Sequence, residues 1–324
     1  MPGYSALWKD SGFLKGAPPC LVVPYEGLSL VCLGGVRDLD TRRDLKFDRS
    51  NLDVGVVSPK QALMTLMTYS ENFPGSERSE ILGLTGSIWN LTRFGSTVLS
   101  VEGSVTGSTA SLDYVGRAGR AKLDVVTVRR RRVSVSFRYI RFRDAGGAMR
   151  GGTSRDPAEA EQLIAVMNRL YMPSANIELT LRSSKAEQID QALGTAILMD
   201  NFQKHVLPLR DRNADITVFF VGKWKGGEDP LGSAFSAQKS VVVDDAPLQY
   251  IAPQTGWPEN QFTDDQIYHS KDRKATDRDL HIVLAHEVAH ILGAGHNDGD
   301  DNLMSMNRQD LKLTRNIVLA IGGK

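Results

Sequence analysis

The amino-acid sequence predicts an α+β protein in two parts, a smaller β-rich part followed by a mixed sheet with helices. Three observations carry this expectation. Up to residue 128, short apolar runs recur between clusters of Gly, Ser, Asn and Pro, the pattern of strands joined by tight turns. Beyond residue 128, strand-like and helix-like periods alternate. The length, 324 residues, exceeds one average domain and suits two. The boundary is set at 128/129, inside a window from 115 to 130.

Taken in order, the strand runs of the first part are Cys20 to Val23, Leu28 to Leu33, Ile81 to Leu84 and Thr97 to Val101. Val98 to Val115 alternates apolar residues with Ser, Gly and Thr, which suits hairpins. Ser58 to Tyr69 is the exception. Ala62, Leu63, Leu66 and Met67 recur there at helical spacing behind a Ser-Pro start. In the second part, Val133, Val135, Phe137 and Tyr139 share one face of a strand, and the Gly-rich stretch Ala145 to Ser154 reads as a loop. Asp156 and Pro157 then supply an N-cap and a first helical position, ahead of a stripe formed by Leu163, Ile164, Met167 and Leu170. Asn176 to Leu181 is expected as a strand, Lys185 to His205 as a second helix, and Asp215 to Val221 and Ser240 to Val243 as strands. Asp277 to Leu292 is the last long helix.

The formal net charge is +1, so no global field argues for nucleic acid or a membrane surface. The most basic run, Arg129 to Arg132, has no interleaved aromatic residues and reads as a solvated strand end. No segment approaches the ~18 apolar residues of a membrane span. Met1 to Lys15 lacks the basic and apolar regions of a Sec signal, so the expectation is a cytoplasmic protein or one exported by a non-classical route. Cys20 and Cys32 are either a disulfide pair or two inert thiols, with reduced thiols favoured.

The chemistry concentrates between Leu284 and His296. His286 and His290 stand four residues apart, one helical turn, so both imidazoles reach one point. Glu287 lies beside the first and can reach a water rather than the metal. Leu284, Val288, Ile291 and Leu292 form the apolar back of the same helix. Gly293 suits a left-handed C-terminal cap, beyond which the chain can bring His296 back to the same point. Three neutral imidazoles leave one tetrahedral position open, the arrangement of catalytic zinc. Glu287 is then the general base that takes a proton from the attacking water and passes it to a leaving amine. His281 falls on a different face and reads as a surface residue.

The run His286-Glu-x-x-His290-x-x-Gly293-x-x-His296 resembles the long zinc motif of the metzincin metallopeptidases. The resemblance implies a metzincin-like catalytic domain, a mixed twisted sheet with the zinc helix at a cleft, over residues 129–324. It implies a methionine turn at Asn302-Leu303-Met304-Ser305, with Met304 beneath the histidines and Met306 as second choice. It also implies that Gly232, Ser233, Ala234 and Phe235 form the edge strand on which extended substrate pairs. The end of the chain, from Asp310 to a closing helix at Arg315 to Ile321, is similar to bacterial matrixin-like peptidases. Asn297-Asp298 leaves the subfamily open, and no Tyr follows Met304 as astacins and serralysins would have. Asp298, Asp300 and Asp301 around Gly299 suit either a calcium loop or a solvated turn. Pro-Pro-Cys20 invites comparison with a cysteine switch, but the surrounding motif is missing.

The expected function is thus zinc-dependent hydrolysis of protein or peptide substrates, with one catalytic Zn2+. A silent or latent zinc-bearing interaction protein and a secreted effector toxin are the alternatives. Residues 1–128 bear no resemblance to a known family. A recognition module, a pro-domain and a unit for binding a partner or secretion machinery all fit them.

Overall fold

The structure is a computed structural model that describes residues 20–25, 27–33, 36, 38–58, 97–116, 119–144, 146–194, 196–226, 231–245, 280–296, 302–305 and 313–322. The helix expected from Ser58 to Tyr69 and the strand at Ile81 to Leu84 lie outside the described residues, apart from Ser58 itself.

Seven strands come from the first part: β1 (Leu21–Pro24), β2 (Leu28–Leu33), β3 (Leu45–Phe47), β4 (Leu52–Val57), β5 (Thr97–Gly103), β6 (Thr109–Gly116) and β7 (Gly119–Val128). They form two sheets with strand orders β1-β7-β6-β3 and β2-β5-β4. All neighbours are antiparallel except β1 and β7. The second part contributes β8 (Arg131–Arg143), β9 (Gly151–Gly152), α1 (Ala160–Ala175), β10 (Ile177–Ala192), β11 (Ile216–Phe220), β12 (Gly232–Phe235), β13 (Ser240–Val243), α2 (Leu280–Leu292) and α3 (Arg315–Gly322). Its sheet runs β10-β8-β11-β13-β12, with β9 appended to β8. The pairs along that order are parallel until β12, which runs antiparallel to β13 and ends the sheet.

Strand alternation distributes the apolar side chains over separate cores. Val218 and Phe220 of β11, and Val241 and Val243 of β13, meet the helices through a core shared with Leu284, Val288 and Met304. Phe219 and Val242 point the other way, into a cluster with Phe202 and Trp224. The four-stranded sheet is divided similarly. Leu21 and Val23 join Val31, Leu52, Leu99 and Leu112 between the two β-rich sheets. Val22, Val126 and Val128 are instead buried with residues of α1 and α3.

Asp156 caps as expected, its carboxylate accepting the Ala158 N–H at 2.8 Å, and Pro157 opens a single 3-10 turn ahead of α1. Two expectations are corrected. The stretch Ala145 to Ser154 is not wholly loop, because Gly151 and Gly152 pair with Phe142 and Arg141. More consequentially, Lys185 to His205 is not a helix. Strand β10 continues to Ala192, with Lys185 opposite Arg138 and Ile189 opposite Phe142. Lys, Ala, Glu and Gln favour helix locally, but the 13-residue β8 presents backbone donors and acceptors along its whole flank, and pairing with β10 satisfies them. Helical structure is confined to 199–209, where Met199–Asn201 leads into a π-turn at Phe202–Val206 and a 3-10 turn at Leu207–Leu209. No described helix is long and apolar enough to cross a membrane.

Candidate metal centre

Helix α2 is buried along Leu284, Ala285, Val288, Ala289 and Leu292, which fixes its rotation about its own axis. That rotation turns His286 and His290 to the opposite side. The helix ends in a Schellman cap. Gly293 has φ +115°, its N–H donates to the His290 carbonyl at 3.1 Å, and the Ala294 N–H donates to the Ala289 carbonyl at 2.9 Å. The reversal delivers His296 to the two helical histidines. The Nε2 atom of His290 stands 3.1 Å from Nε2 of His286 and 3.1 Å from Nε2 of His296. These three are the one cluster of metal-capable side chains among the described residues.

The other ring nitrogens decide the protonation. His286 Nδ1 lies 2.7 Å from the Leu303 carbonyl, and His290 Nδ1 lies 2.9 Å from the Ala294 carbonyl. A carbonyl only accepts, so each Nδ1 carries the proton and donates it. Each Nε2 therefore presents a lone pair inward. Lone pairs facing one another at 3.1 Å repel unless a cation lies between them. Two nitrogens on one tetrahedral zinc at about 2.0–2.1 Å would stand about 3.3 Å apart, so the donor set fits that ion to within a few tenths of an ångström. Burial, reinforced by the neighbouring His296 ring, holds His290 below the ordinary imidazole pKa and so favours the neutral form, although its bond to Ala294 acts the other way.

Glu287 is buried, at 3% exposure, between α2 and strand β12. A Cβ built on Gly232 would stand 3.1 Å from its Cγ and 3.2 Å from Val283 Cγ1. The hydroxyl of Tyr171, on α1, donates to the Ala285 carbonyl in the turn that carries His286. Burial, and next to it the Glu287 charge, push the Tyr171 phenol well above its usual pKa. The turn at 302–305 is keyed to the same helix. Asn302 Oδ1 accepts the Met304 N–H at 3.0 Å, the Leu303 carbonyl binds His286, and Met304 is fully buried in the core beneath α2.

At the end of the sheet, Gly232 lies opposite Val243 and Phe235 opposite Ser240. The Asp244 N–H donates to the Leu231 carbonyl at 2.9 Å, so Leu231, Ser233 and Phe235 are the residues that exchange bonds with β13. By alternation, the backbone groups of Gly232 and Ala234 face outward, away from every described strand. The Ser236 hydroxyl reaches the His290 carbonyl at 3.4 Å, which ties the end of β12 to α2.

Tyr171, Leu303 and Ala294 were not visible as site residues in the sequence. Two of the three act through a backbone carbonyl, which leaves no side-chain signature. The acidic residues Asp298, Asp300 and Asp301, together with Asn297 and Met306, lie outside the described residues, as does the side chain of Cys32. Cys20 is a free, buried thiol, and burial, assisted by Asp124, pushes its pKa up to about 12. A thiol so held is a poor source of the thiolate a cysteine switch needs. The basic run is engaged within the chain. Arg130 and Arg132 both bind Glu178, Arg131 donates to the Ile321 carbonyl, and Arg129 lies over Tyr25.

The family model described as Matrixin matches residues 168–319, slightly under half of the chain. No curated protein matches. The matched span runs from the middle of α1 into α3 and contains all three histidines and Glu287. The C-terminal part of the chain is therefore metzincin-like, and the class it indicates is a zinc metallopeptidase.

Proposed function

We propose that the protein is a zinc-dependent endopeptidase in which His286, His290 and His296 hold the metal and Glu287 is the general base. The observation that carries the reading is the convergence of three Nε2 lone pairs, two of them fixed by Nδ1–H bonds to backbone carbonyls. Zinc, when bound, supplies a Lewis acid for the scissile carbonyl and acidifies a water. Glu287, adjacent to the first ligand on α2, takes the proton of the attacking water and carries it to the leaving amine. Its buried setting against β12 keeps competing solvent from the carboxylate. An extended peptide would add to the sheet as a further strand, bonded to the outward backbone groups of Gly232 and Ala234 and passing Ser233 and Phe235. Gly293 supplies the reversal that brings in the third ligand, and Met304 packs the floor.

Residues 1–128 are proposed as a β-rich domain joined to a peptidase domain of 129–324. A core of its own supports this, formed by Leu21, Leu52, Leu99, Leu112 and their neighbours. Its contacts with the second part run through β1 and β7 onto α1 and α3.

The test is metal content in protein purified without added zinc, beside His290→Ala, together with casein cleavage by wild type and Glu287→Ala. About one zinc per chain, lost in His290→Ala, with cleavage lost in Glu287→Ala, is the expected result. A folded wild type that takes up no zinc when offered it, or undiminished cleavage by pure Glu287→Ala, would overturn the reading.

A further inference from the structure

Strand β12 is four residues long, ends its sheet, and is paired on one flank only among the described residues. A strand that short does not hold an extended shape by β-pairing alone, because ordering each residue costs conformational entropy that few ladder bonds offset. Beyond the ladder, Ser236 ties its end to α2 on one side, and on the other face its support centres on Trp224. Trp224 is fully buried, and its indole N–H donates to the Ser233 hydroxyl at 3.0 Å. The indole stands edge-on to Phe235 and to Phe202, while Phe202 stacks on Phe235 with centroids 4.9 Å apart. The backbone N–H of Trp224 donates to Asp244 Oδ2 at 2.6 Å, and the Asp244 N–H donates in turn to the Leu231 carbonyl. Trp224 thus grips β12 at Ser233 and Phe235 and also binds the residue that follows β13. The loop bearing Trp224 is itself fixed, since Ile197 donates to the Lys223 carbonyl and accepts from the Lys225 N–H.

We propose that Trp224 is a positioning residue for substrate. It locks β12 in its extended form from the face opposite the metal, so that the outward groups of Gly232 and Ala234 meet a peptide already aligned. This rests on the peptidase reading, because the peptide partner of β12 is part of that reading. A strand ordered in advance spares the substrate the entropy of ordering it. Loosening it therefore weakens binding and leaves the proton-transfer chemistry of Glu287 in place. Trp224 packs on the face of β12 that bears Ser233 and Phe235, away from the Glu287 side, which is why its effect falls on KM.

The test uses the full chain with Trp224→Phe, which keeps a ring but loses the donor, Ser233→Ala, which loses the acceptor, and the double variant. Two peptidyl hydroxamates with identical side chains serve as probes, one with a normal backbone and one with N-methylated amides. Each single variant is expected to raise KM, and to weaken the unmethylated probe, by roughly two- to tenfold, the effect of one lost buried hydrogen bond. The methylated probe should change little, kcat should hold within about twofold, and zinc content should not change. Because both substitutions remove the same bond, the double variant should resemble the singles rather than their product. Amide hydrogen exchange at 231–236 should quicken while exchange in α2 stays constant. Unchanged exchange at 231–236 in both single variants, or kcat and zinc content falling together, overturns the role of Trp224. Should Trp224→Phe fail to fold, Ser233→Ala carries the same comparison. A wild type that binds neither hydroxamate overturns the peptidase reading instead, and the exchange rates then judge the indole lock on their own.

Discussion

Gly232 offers the sharpest perturbation of the site from outside the zinc motif. A Cβ at this position would stand 3.1 Å from Glu287 Cγ, 3.2 Å from the Val242 carbonyl oxygen and 3.2 Å from Val283 Cγ1. The strand backbone and the buried α2 cannot yield, so the softest neighbour is the Glu287 side chain. Alanine asks it to move by a few tenths of an ångström. Valine adds γ-carbons in the same confined space and asks for more, at a cost of about 1–3 kcal/mol for an overpacked core site. Displacing a catalytic group by about 1 Å lowers rate by about 100-fold. Gly232→Ala is therefore expected to lose a few-fold in kcat and Gly232→Val about 10- to 100-fold. Zinc content should stay near one per chain, because no ligating nitrogen is among the three crowded atoms. The assay is kcat and KM on a fluorogenic peptide cleaved by wild type, with zinc content and thermal midpoint measured on the same preparations. A Gly232→Val protein that is folded, zinc-loaded and as fast as wild type would refute the idea that β12 sets the position of Glu287.

Three further predictions concern metal, acid and thiol. Removing zinc with 1,10-phenanthroline should abolish cleavage and lower the thermal midpoint, and zinc should restore both; a ligand present at 1,000 times its Kd stabilises by about 4 kcal/mol, so a midpoint indifferent to the chelator would count against a resident metal. Burial raises the pKa of Asp215, but the N–H and hydroxyl of Ser134, at 2.9 and 2.7 Å, outweigh it and hold the carboxylate below its ordinary range. Because the folded pKa is depressed, its stabilisation is present above the unfolded value of about 3.9 and is lost as pH falls through the lower folded value. The urea midpoint of Asp215→Asn should accordingly lie below wild type near neutral pH and converge with it in acid, whereas a constant gap down to acid unfolding would contradict the assignment. Cys20, with its pKa pushed up to about 12 by burial, should ignore a thiol reagent at pH 8 in native Cys32→Ser protein and react once urea unfolds it; rapid reaction of the native protein would show the thiol to be accessible.

What could be read from the sequence divides along the range of the interactions. The zinc helix was legible because its signals are local: a 3.6-residue apolar stripe, two histidines one turn apart, and a glycine where the chain must enter the left-handed region. The strands at 133, 216 and 240 were legible for the same reason, the first through period-two alternation and the other two through short continuous apolar runs. The stretch from Lys185 reads as helix because its side chains favour helix locally, whereas its backbone is claimed by β8, more than forty residues earlier. The same limit hid the supports of the site. Tyr171 meets Ala285 across 114 positions, and Leu303 meets His286 across 17 through a carbonyl that any residue would supply. Trp224 and Ser233 are only nine apart, yet neither local pattern announces a hydrogen bond between them.

On the proposed function, these supports separate chemistry from recognition. The metal wall is held on three sides: by the apolar back of α2, by Tyr171 on the Ala285 carbonyl, and by the 302–305 turn on His286. Strand β12 is held by four ladder positions, by Trp224 and Phe202 on one face and by the Ser236 tie to α2, with nothing described on its outer flank. Damage to the first wall moves ligands and base together, so zinc affinity and kcat should fall in concert. Damage to the second moves only the surface on which the peptide would align, so KM should change first. Gly232 is the exception that joins the two, since its missing side chain is what allows the strand to lie against Glu287. It alone in β12 should shift kcat without shifting zinc, and a survey of substitutions at 232, 233 and 235 would show whether the rate effect is confined to 232 as this geometry requires.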